Sequence, residues 1–553
     1  MPLLGREVLL EVLRSEGVTH LFGNPGSTEL PLMDALVGAD DLHYVLALQE
    51  ATAVGMADGY AQFSGRPAFL NLHTSAGLGN AIGNLTNARA NGTPLVVTAG
   101  QQDERHLVDD PLLSGDLVAL ARPVTKWAHE VRTPDELGTV LRRAFNDAMA
   151  PPTGPVFVAV RMDHLEREVS TPVPARSAVD RRPIAGGLDT LAAMLIGTSP
   201  GRVALVVGDE VARSDAIGAV VELAEKLGAT VFGSPLYGSS VFPPTHPQWA
   251  GMLPPSAARV RAALDGFDRV LLLGGQAFLV YPYSAGSPVP DHVDLLHLSP
   301  DPSQIGRAHP VRFGAAGDIG ATLEALNATL GDLRPPEPAT EEAAARSAAA
   351  SVKRSAEIEM LDTSARARYG PAPMHPMAAA HALLRAIPPD VAVVDEAITT
   401  GVYVRGFHHT DVSSSYFFCR GGGLGWGMPA ACGIALASRR PVLCVVGDGS
   451  AMYSPQALWT AAHERLPVVF AVVDNGQYLI LKQNLRGMGG ASARTERFVA
   501  MDLDQPRVDF CALAEAMGVP ATRIDRTEDI ATGVAQALAS GWPALLHIPI
   551  TTR

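Results

Sequence analysis

Two stretches of the chain place oxygen-bearing side chains directly behind runs of valine. In "VLCVVGDGSAMYSP" the run ends at Gly447-Asp448-Gly449-Ser450, and in "PVVFAVVDNGQY" it ends at Asp474-Asn475-Gly476-Gln477. Short valine-rich runs ending in Gly or Asp suit strands of parallel sheets covered on both faces. Asp448 and Asn475 then stand at the carboxyl ends of strands, where open α/β sheets bind ligands. A carboxylate and an amide beside glycines that admit a close backbone could hold Mg²⁺ against a phosphate. An Asx turn after each strand explains the same residues without any ligand, and the pattern alone leaves both readings open. A third stretch, "YVLALQEATAVGMADGYA", puts Glu50 in an almost wholly apolar neighbourhood. A buried carboxylate usually has a partner, a shifted pKa or a job, although an acid in a helix's first turn also gains about 0.3–1 kcal/mol from the macrodipole. His73 follows another strand in "PAFLNLHTSAGLGN", and "LFGNPGSTELP" holds a turn at Asn24-Pro25-Gly26-Ser27. A lone histidine in that position is commonly structural. "SYFFCRGGGLGWGMPAACGIALA" contains Gly425-x-Gly427-x-x-Ala430, which imitates a dinucleotide fingerprint and keeps a nicotinamide dehydrogenase as a lesser reading.

The elements that must position these residues are legible as an alternation. Apolar runs at 94–100, 154–160, 203–209, 269–275, 440–449 and 467–475 read as strands, and segments such as "DAIGAVVELAEKLG" read as crossover helices, so the class is α/β with mainly parallel sheets. A chain of 553 residues is too long for one core. Polar, proline-bearing stretches at 166–183 and 333–355 divide it into units of about 1–180, 181–335 and 355–553, the second stretch opening as an exposed linker and turning helical. A hydrophobic fraction of 47% with 18% charged residues describes an ordered globular protein, and a net charge of −14 argues against a general nucleic-acid binder. "MPLLGREVLLEVLRSEGV" reads as an amphipathic helix rather than a signal peptide, and no apolar run approaches the roughly 20 residues of a membrane span. The four cysteines, Cys419, Cys432, Cys444 and Cys511, form no C-x-x-C pair and read as buried free thiols of a cytoplasmic protein. Ser454 and Pro455 read as N-cap and first residue of the helix after the Asp448 turn.

Taken together, "FGNPGSTELP", "LALQEA", "ADGYAQ", "NLHTSAGLGNA", "TAGQQ", "YFFCRGGGLGWGMPAA", "GDGSAMYS", "ALWTAA" and the Asp448…Asn475 pattern resemble the thiamine-diphosphate-dependent 2-oxo-acid decarboxylase family, most closely its benzoylformate decarboxylases. The resemblance runs over essentially the whole chain, more thinly in the middle. It implies three doubly wound domains (pyrimidine-binding, middle and diphosphate-binding), Mg²⁺ and thiamine diphosphate as cofactors, and active sites at a dimer interface, usually within a tetramer. It implies that Glu50 hydrogen-bonds N1′ of the cofactor's aminopyrimidine, that Leu424 supports the bent cofactor, and that the Gly422 carbonyl holds the 4′-amino group. Asp448, Asn475 and the Gln477 backbone carbonyl match the Mg²⁺ ligands. Thr399 and Ser450 match diphosphate contacts, with Gly447, Gly449, Tyr478 and Ile480 also at the cofactor. Ser27 matches a residue beside the substrate carboxylate, with Asn24 close by, and His73 matches a proton donor and acceptor. The implied reaction is non-oxidative decarboxylation of an aromatic or otherwise bulky 2-oxo acid to an aldehyde.

The match departs from the family in the middle domain. A second active-site histidine is expected in the stretch "GGQAFLVYPYSAGSP" (274–288), which has none; Tyr281, Pro282 and Tyr283 stand there instead, and His246, His292, His297 and His309 lie elsewhere. A tyrosine, with a pKa near ~10, is a poorer acid at neutral pH. Slower protonation would favour carbon–carbon ligation, so an acetolactate-synthase-like or 2-hydroxyacyl-CoA-lyase-like carboligase or lyase is the alternative. Ile398 replaces a small hydroxyl residue, and Ile480, Leu481 and Asn484 shape the pocket for the substrate's organic group. Arg420 adds a cation before the glycine turn, as a surface ion-pair partner or as a ligand for a second carboxylate or phosphate on the substrate.

Overall fold

The computed structural model describes residues 3–199, 201–276, 278–333 and 337–552. The chain divides into two compact units, one formed by Met1–Ala178, Arg368–Phe407 and Cys419–Arg553, the other by Val179–Ala367 and His408–Phe418.

The first unit contains two parallel sheets. One is built from β1 (His20–Gly23), β2 (His43–Leu46), β3 (Ala68–Leu72), β4 (Leu95–Gln101), β5 (Ala128–Glu130) and β6 (Val156–Arg161), in the order β2-β1-β3-β4-β6-β5. Strands β3 and β4 are buried along their whole length, as their unbroken apolar character requires. The amphipathic helix α1 (Gly5–Glu16) buries Val8, Leu9, Leu10, Val12 and Leu13 and stops at Gly17, whose φ of 79° is the left-handed conformation of a glycine cap. Its apolar face joins Leu21, Phe69, Leu141, Phe145 and Val158 in one core.

In the same unit the carboxyl-terminal sheet holds β13 (Ala392–Glu396), β14 (Val442–Gly447), β15 (Val468–Asp474), β16 (Ala521–Arg523) and β17 (Ala544–Pro549), in the order β13-β14-β15-β17-β16. Strands β14 and β15 are neighbours in parallel register. The alternation read from the valine runs is therefore correct at all six quoted positions.

Two helices fasten these sheets together: α2 (Glu50–Ser64) and α5 (Gly427–Ser438). Both are rich in Ala and Gly and buried on nearly every face. Small residues let their backbones touch. A Cβ at Gly433 would lie 1.9 Å from the Met56 carbonyl oxygen, and one at Gly59 would lie 2.2 Å from that of Ala430. Helix α3 (Thr74–Asn91) packs beside α2 and carries three buried asparagines at its carboxyl-terminal half, Asn84, Asn87 and Asn91.

The second unit is doubly wound around β7 (Val203–Val207), β8 (Thr230–Gly233), β9 (Trp249–Met252), β10 (Arg269–Leu273), β11 (Asp294–Ser299) and β12 (Phe313–Ala316), in the order β9-β8-β7-β10-β11-β12. "DAIGAVVELAEKLG" forms the expected helix, Ile217–Leu227. A long helix, α4 (Glu337–Arg366), follows the sheet; the proline-rich opening of the 333–355 stretch, at 334–336, lies outside the described residues. The segment His408–Phe418 returns to this unit, where Ser239 and Phe417 form an antiparallel bridge and the Phe418 amide donates to the Gly238 carbonyl at 2.9 Å.

Two local readings need correction. The helix after the Asp448 turn, α6, spans Gln456–His463 with Pro455 at its cap, and the Ser454 hydroxyl is buried without a hydrogen-bond partner instead of capping it. Pro455 has helical angles of −61° and −20°, as a first helical residue should, so the departure is confined to the missing Ser454 side-chain hydrogen bond. Among the cysteines, Cys419, Cys432 and Cys444 are buried free thiols, but Cys511 is half-exposed near the surface of the carboxyl-terminal domain.

Candidate active site

At the carboxyl ends of β13, β14 and β15 the sheet opens into a cleft of about 450 Å³. Residues Ala397–Thr400 line it after β13, Gly447–Ser450 after β14, and Val473, Asn475 and Gln477–Ile480 at the end of β15; Leu424 reaches it from the glycine-rich turn before α5. This is where the parallel sheet predicts a ligand. The cleft thus gathers Ile398, Thr399, Leu424, Gly447, Asp448, Gly449, Ser450, Asn475, Gln477, Tyr478 and Ile480 from the positions marked in the sequence. Gly422, with φ of 71°, lies two residues from Leu424 on the exposed part of the turn. Leu481 is 45% exposed and outside the cleft lining, and Asn484 is exposed on the same helix, α7 (Leu479–Met488).

The loop after β15 is braced from both sides. Asp448 Oδ2 and Asp474 Oδ1 both accept from the Gly476 amide, at 2.8 and 2.9 Å, and Asn475 Oδ1 accepts from the Gln477 amide at 3.1 Å. Leu503 N donates to the Gly476 carbonyl at 2.7 Å, and Tyr478 N to that of Met501 at 2.9 Å. Burial, followed by the nearby Asp474 charge, pushes the Asp448 carboxyl well above its ordinary value. Burial would raise Asp474 too, but His547 at 2.9 Å and Arg507 at 2.9 Å outweigh it and hold that group below the usual carboxylate range. Asp474 is already paired with Arg507 and His547, which leaves the Asp448 carboxylate, the Asn475 amide and the Gln477 backbone at the cleft as hard oxygen donors. A divalent cation such as Mg²⁺ fits that donor set.

The first domain brings a second group of marked residues together. Ser27 opens a single turn, Ser27–Glu29, after β1, and His73 follows β3. His73 Nδ1 lies 2.8 Å from Glu29 Oε2 and 3.1 Å from Thr28 Oγ. The Glu29 carboxylate also accepts from Gly26 N and Gly100 N, each at 3.0 Å, and from the Thr28 hydroxyl at 2.8 Å. A Cβ at Gly26 would meet the His73 ring at 2.3 Å, so only glycine lets the Asn24–Ser27 turn lie against the imidazole. With Nδ1 turned to Glu29, Nε2 is the nitrogen left for chemistry. The next residue, Thr74, is a buried β-branched residue at φ 51°, a strained position of the kind that collects at functional sites.

Glu50 is the first residue of α2 and is 9% exposed. Its Oε2 accepts from Asn80 Nδ2 at 3.0 Å, and Gly77 leaves room for Oε1. It is absent from the lining of its own chain's cleft. Tyr281 and Tyr283 belong to the second unit, where they are 67% and 90% exposed. Sequence reasoning missed Glu29, Glu396, Asn87 and Asp58. Glu396 accepts from Gly425 N, Trp426 N and Gly427 N at 2.9, 3.1 and 3.0 Å. Asp58 is fully buried, accepts from Trp426 Nε1 at 2.7 Å and Asn91 Nδ2 at 3.0 Å, and is raised by burial against its hydrogen bonds. The Glu396 contacts also remove the dinucleotide reading, because the amides at the start of α5 that would receive a pyrophosphate already hold a carboxylate.

Comparison with known proteins agrees with this geometry. The N-terminal TPP binding domain of thiamine pyrophosphate enzymes matches residues 4–120, their central domain 188–326 and their C-terminal TPP binding domain 400–548. Benzoylformate decarboxylase of Pseudomonas aeruginosa is 36% identical over 550 residues, covering 98% of each chain. The chain belongs to the thiamine pyrophosphate enzyme family. Within it, the structure of a thiamine diphosphate-dependent 4-hydroxybenzoylformate decarboxylase from Rhodococcus jostii is similar with a TM-score of 0.88 and 31% identity, over 99% of both chains. An acetolactate synthase of Mycobacterium bovis is 27% identical over 97% of this chain and 86% of its own. This thiamine pyrophosphate enzyme therefore has both decarboxylases and acetolactate synthases among its relatives. No described helix is long and apolar enough to cross a membrane.

Proposed function

We propose that this enzyme is a Mg²⁺-dependent 2-oxo-acid decarboxylase acting on benzoylformate or a similarly bulky aromatic substrate. The observation that carries the reading is His73, oriented by Glu29 at 2.8 Å and lying against the Gly26 turn that carries Ser27, in a chain 36% identical to a benzoylformate decarboxylase. Thiamine diphosphate, when bound, supplies a thiazolium ring that accepts the electron pair left behind by departing carbon dioxide.

The chain's own residues divide the remaining work. Asp448, Asn475 and the Gln477 carbonyl hold Mg²⁺; Thr399, Ser450 and the Gly447 and Gly449 backbone receive the diphosphate. The Gly422 carbonyl, Leu424, Tyr478 and Ile480 hold the rings. Glu50, held by Asn80 at 3.0 Å, hydrogen-bonds N1′ of the pyrimidine. Ser27, with Asn24 beside it, orients the substrate carboxylate, and His73 Nε2 gives and takes the proton at the substrate oxygen. Ile398 and Ile480, which line the cleft, supply an apolar wall for the aromatic ring. That Glu50 does not line its own chain's cleft supports a site completed by a second copy at a dimer interface; the resemblance to the family adds the tetramer, and the cysteine usage the cytoplasmic location.

The test is release of carbon dioxide and benzaldehyde from benzoylformate by purified protein supplied with Mg²⁺ and thiamine diphosphate. Equal release of both supports the reading, and none, with cofactor bound, refutes it. A carboligase or lyase is the second reading, favoured by the exposed tyrosines in the 274–288 stretch, where a histidine acid is missing. An acyloin product in place of free aldehyde would select it.

A further inference from the structure

The glycine-rich turn that carries Gly422 and Leu424 has no regular structure of its own, and three of its residues, Gly421–Gly423, are exposed. What holds it is a pair of buried side chains that the sequence does not advertise. From one side, Asn87 on α3 grips Gly423 as a neighbouring strand would. Its Oδ1 accepts from Gly423 N at 3.0 Å and its Nδ2 donates to the Gly423 carbonyl at 2.9 Å. The second Nδ2 hydrogen bond goes to Asn84 Oδ1 at 2.8 Å, which fixes the amide's orientation. Asn91 and Asn84 share this face of α3, accepting from Arg420 N at 3.0 Å and donating to the Gly425 carbonyl at 3.4 Å. A Cβ at Gly421 or Gly423 would come within 2.4 or 2.8 Å of Asn87 Oδ1, so the glycines are the counterpart of the asparagine.

From the other side, the Glu396 carboxylate takes the three amides Gly425–Gly427 where the turn enters α5. The residues directly after Glu396, Ala397–Thr400, line the cleft. One side chain thus ties the wall after β13 to the turn that bears Leu424. Asn87 and Glu396 are 1% and 3% exposed, and neither lines the cleft, so an effect on the reaction passes through the turn or, for Glu396, through the wall that follows it.

We propose that Asn87 and Glu396 are positioning residues that clamp the glycine turn and so set Leu424 and the Gly422 carbonyl against the rings of the cofactor. The inference rests on the reading of the cleft as the thiamine diphosphate site, and it goes beyond that reading by assigning the turn's geometry to two residues that touch neither cofactor nor substrate. The clamp acts on the ring half of the site, away from the Asp448 loop that takes the diphosphate half.

The experiment compares wild type with Asn87→Ala, Asn87→Asp and Glu396→Gln as full-length proteins. Hydrogen exchange of the peptide 419–428 is followed by mass spectrometry without cofactor. Binding of thiamine diphosphate and of inorganic pyrophosphate, each with Mg²⁺, is measured by calorimetry. In Asn87→Ala, exchange in 419–428 should quicken by about tenfold or more while the rest of the chain keeps its protection. Thiamine diphosphate should bind about tenfold more weakly, and pyrophosphate as in wild type. Asn87→Asp keeps the acceptor but not the donor and should fall between the two; Glu396→Gln should move exchange and affinity in the same direction. Unchanged exchange in Asn87→Ala, or equal weakening of both ligands, overturns the clamp. If wild type bound no thiamine diphosphate, the functional reading would fail and the exchange measurement alone would decide the clamp.

Discussion

Replacing Glu396 by glutamine should change how the protein's stability depends on pH, and the size of the change follows from the burial of one carboxyl. Glu396 is 3% exposed, and burial pushes its pKa up to about 7 even though three backbone amides favour the charged form. In the unfolded chain the group returns to its ordinary value near 4.5. Because the folded value is the higher one, the stability from this carboxyl is fully present below about 4.5 and is lost as the pH rises through about 7. Between about pH 5.5 and about pH 8 the loss amounts to roughly 2 kcal/mol, and near pH 5.7 unfolding should release about 0.9 of a proton from this group. Proton release is the sharper quantity because it does not require the two units to unfold together. It is obtained by scanning calorimetry in two buffers of different ionisation enthalpy. Asp448, likewise raised by burial, adds a release of its own in metal-free protein, so the comparison is wild type against Glu396→Gln. The variant should release nearly one proton fewer. Equal release by both proteins would show that Glu396 is already ionised in the folded state near pH 5.7, and the desolvation argument would be wrong.

Other substitutions probe the remaining parts of the site. Gly433→Ala forces a methyl group into the Met56 carbonyl, and the overpacking should cost about 1–3 kcal/mol, more than the ~1 kcal/mol of helix propensity it gains; an unchanged melting temperature would mean that α2 and α5 part freely. Glu29→Gln removes a charge-assisted hydrogen bond worth about 1.5–3 kcal/mol from His73. Decarboxylase kcat/KM should fall by about tenfold to a hundredfold with cofactor affinity unchanged, and full activity would remove Glu29 as the residue that orients the imidazole. Asp448→Ala should weaken Mg²⁺ and thiamine diphosphate binding in calorimetric titrations, with partial recovery of activity at excess of both. Glu50→Gln should bind cofactor much as wild type does and lose nearly all turnover; retained turnover would exclude Glu50 from the proton path.

The parts of the site legible in the sequence are those whose chemistry and position are encoded within a few residues. Asp448 and Asn475 each follow a valine run, and a run that long and that apolar has to be a buried strand, so the placement of both at one edge of the sheet follows from parallel pairing. Glu50 stood out because a carboxylate among alanines, valines and glycines is costly without a reason. The residues that were not legible act on distant partners. Glu29 sits three positions after Gly26 and looks like an ordinary capping glutamate; only the meeting of β1, β3 and β4 brings it to His73 and Gly100. Glu396 ends a strand in "VVDEAITT" with nothing local to distinguish it from Asp395. Asn84, Asn87 and Asn91 did leave a trace, since three amides spaced at 84, 87 and 91 fall on one face of a helix. Their targets lie in the glycine turn more than three hundred residues later, and no local pattern names a partner at that distance. Ser454 is the opposite case: a serine before a proline and a helical segment is good capping chemistry, yet its hydroxyl makes no capping hydrogen bond.

The path of the chain around His408–Phe418 limits how this protein could be recombined. The second unit is formed from two separate lengths of sequence, and the shorter one leaves the first unit at Phe407 and comes back at Cys419, on the threshold of the glycine turn. A chimaera that exchanged only Val179–Ala367 for the corresponding part of a relative would keep the native Phe417 and Phe418 but give them a foreign partner at Ser239 and Gly238. The middle unit is therefore not a single cassette. Grafts that transplant both lengths together preserve the anchoring of the peptide that leads into Gly421, whereas grafts of the long segment alone would introduce the mismatch immediately upstream of Leu424.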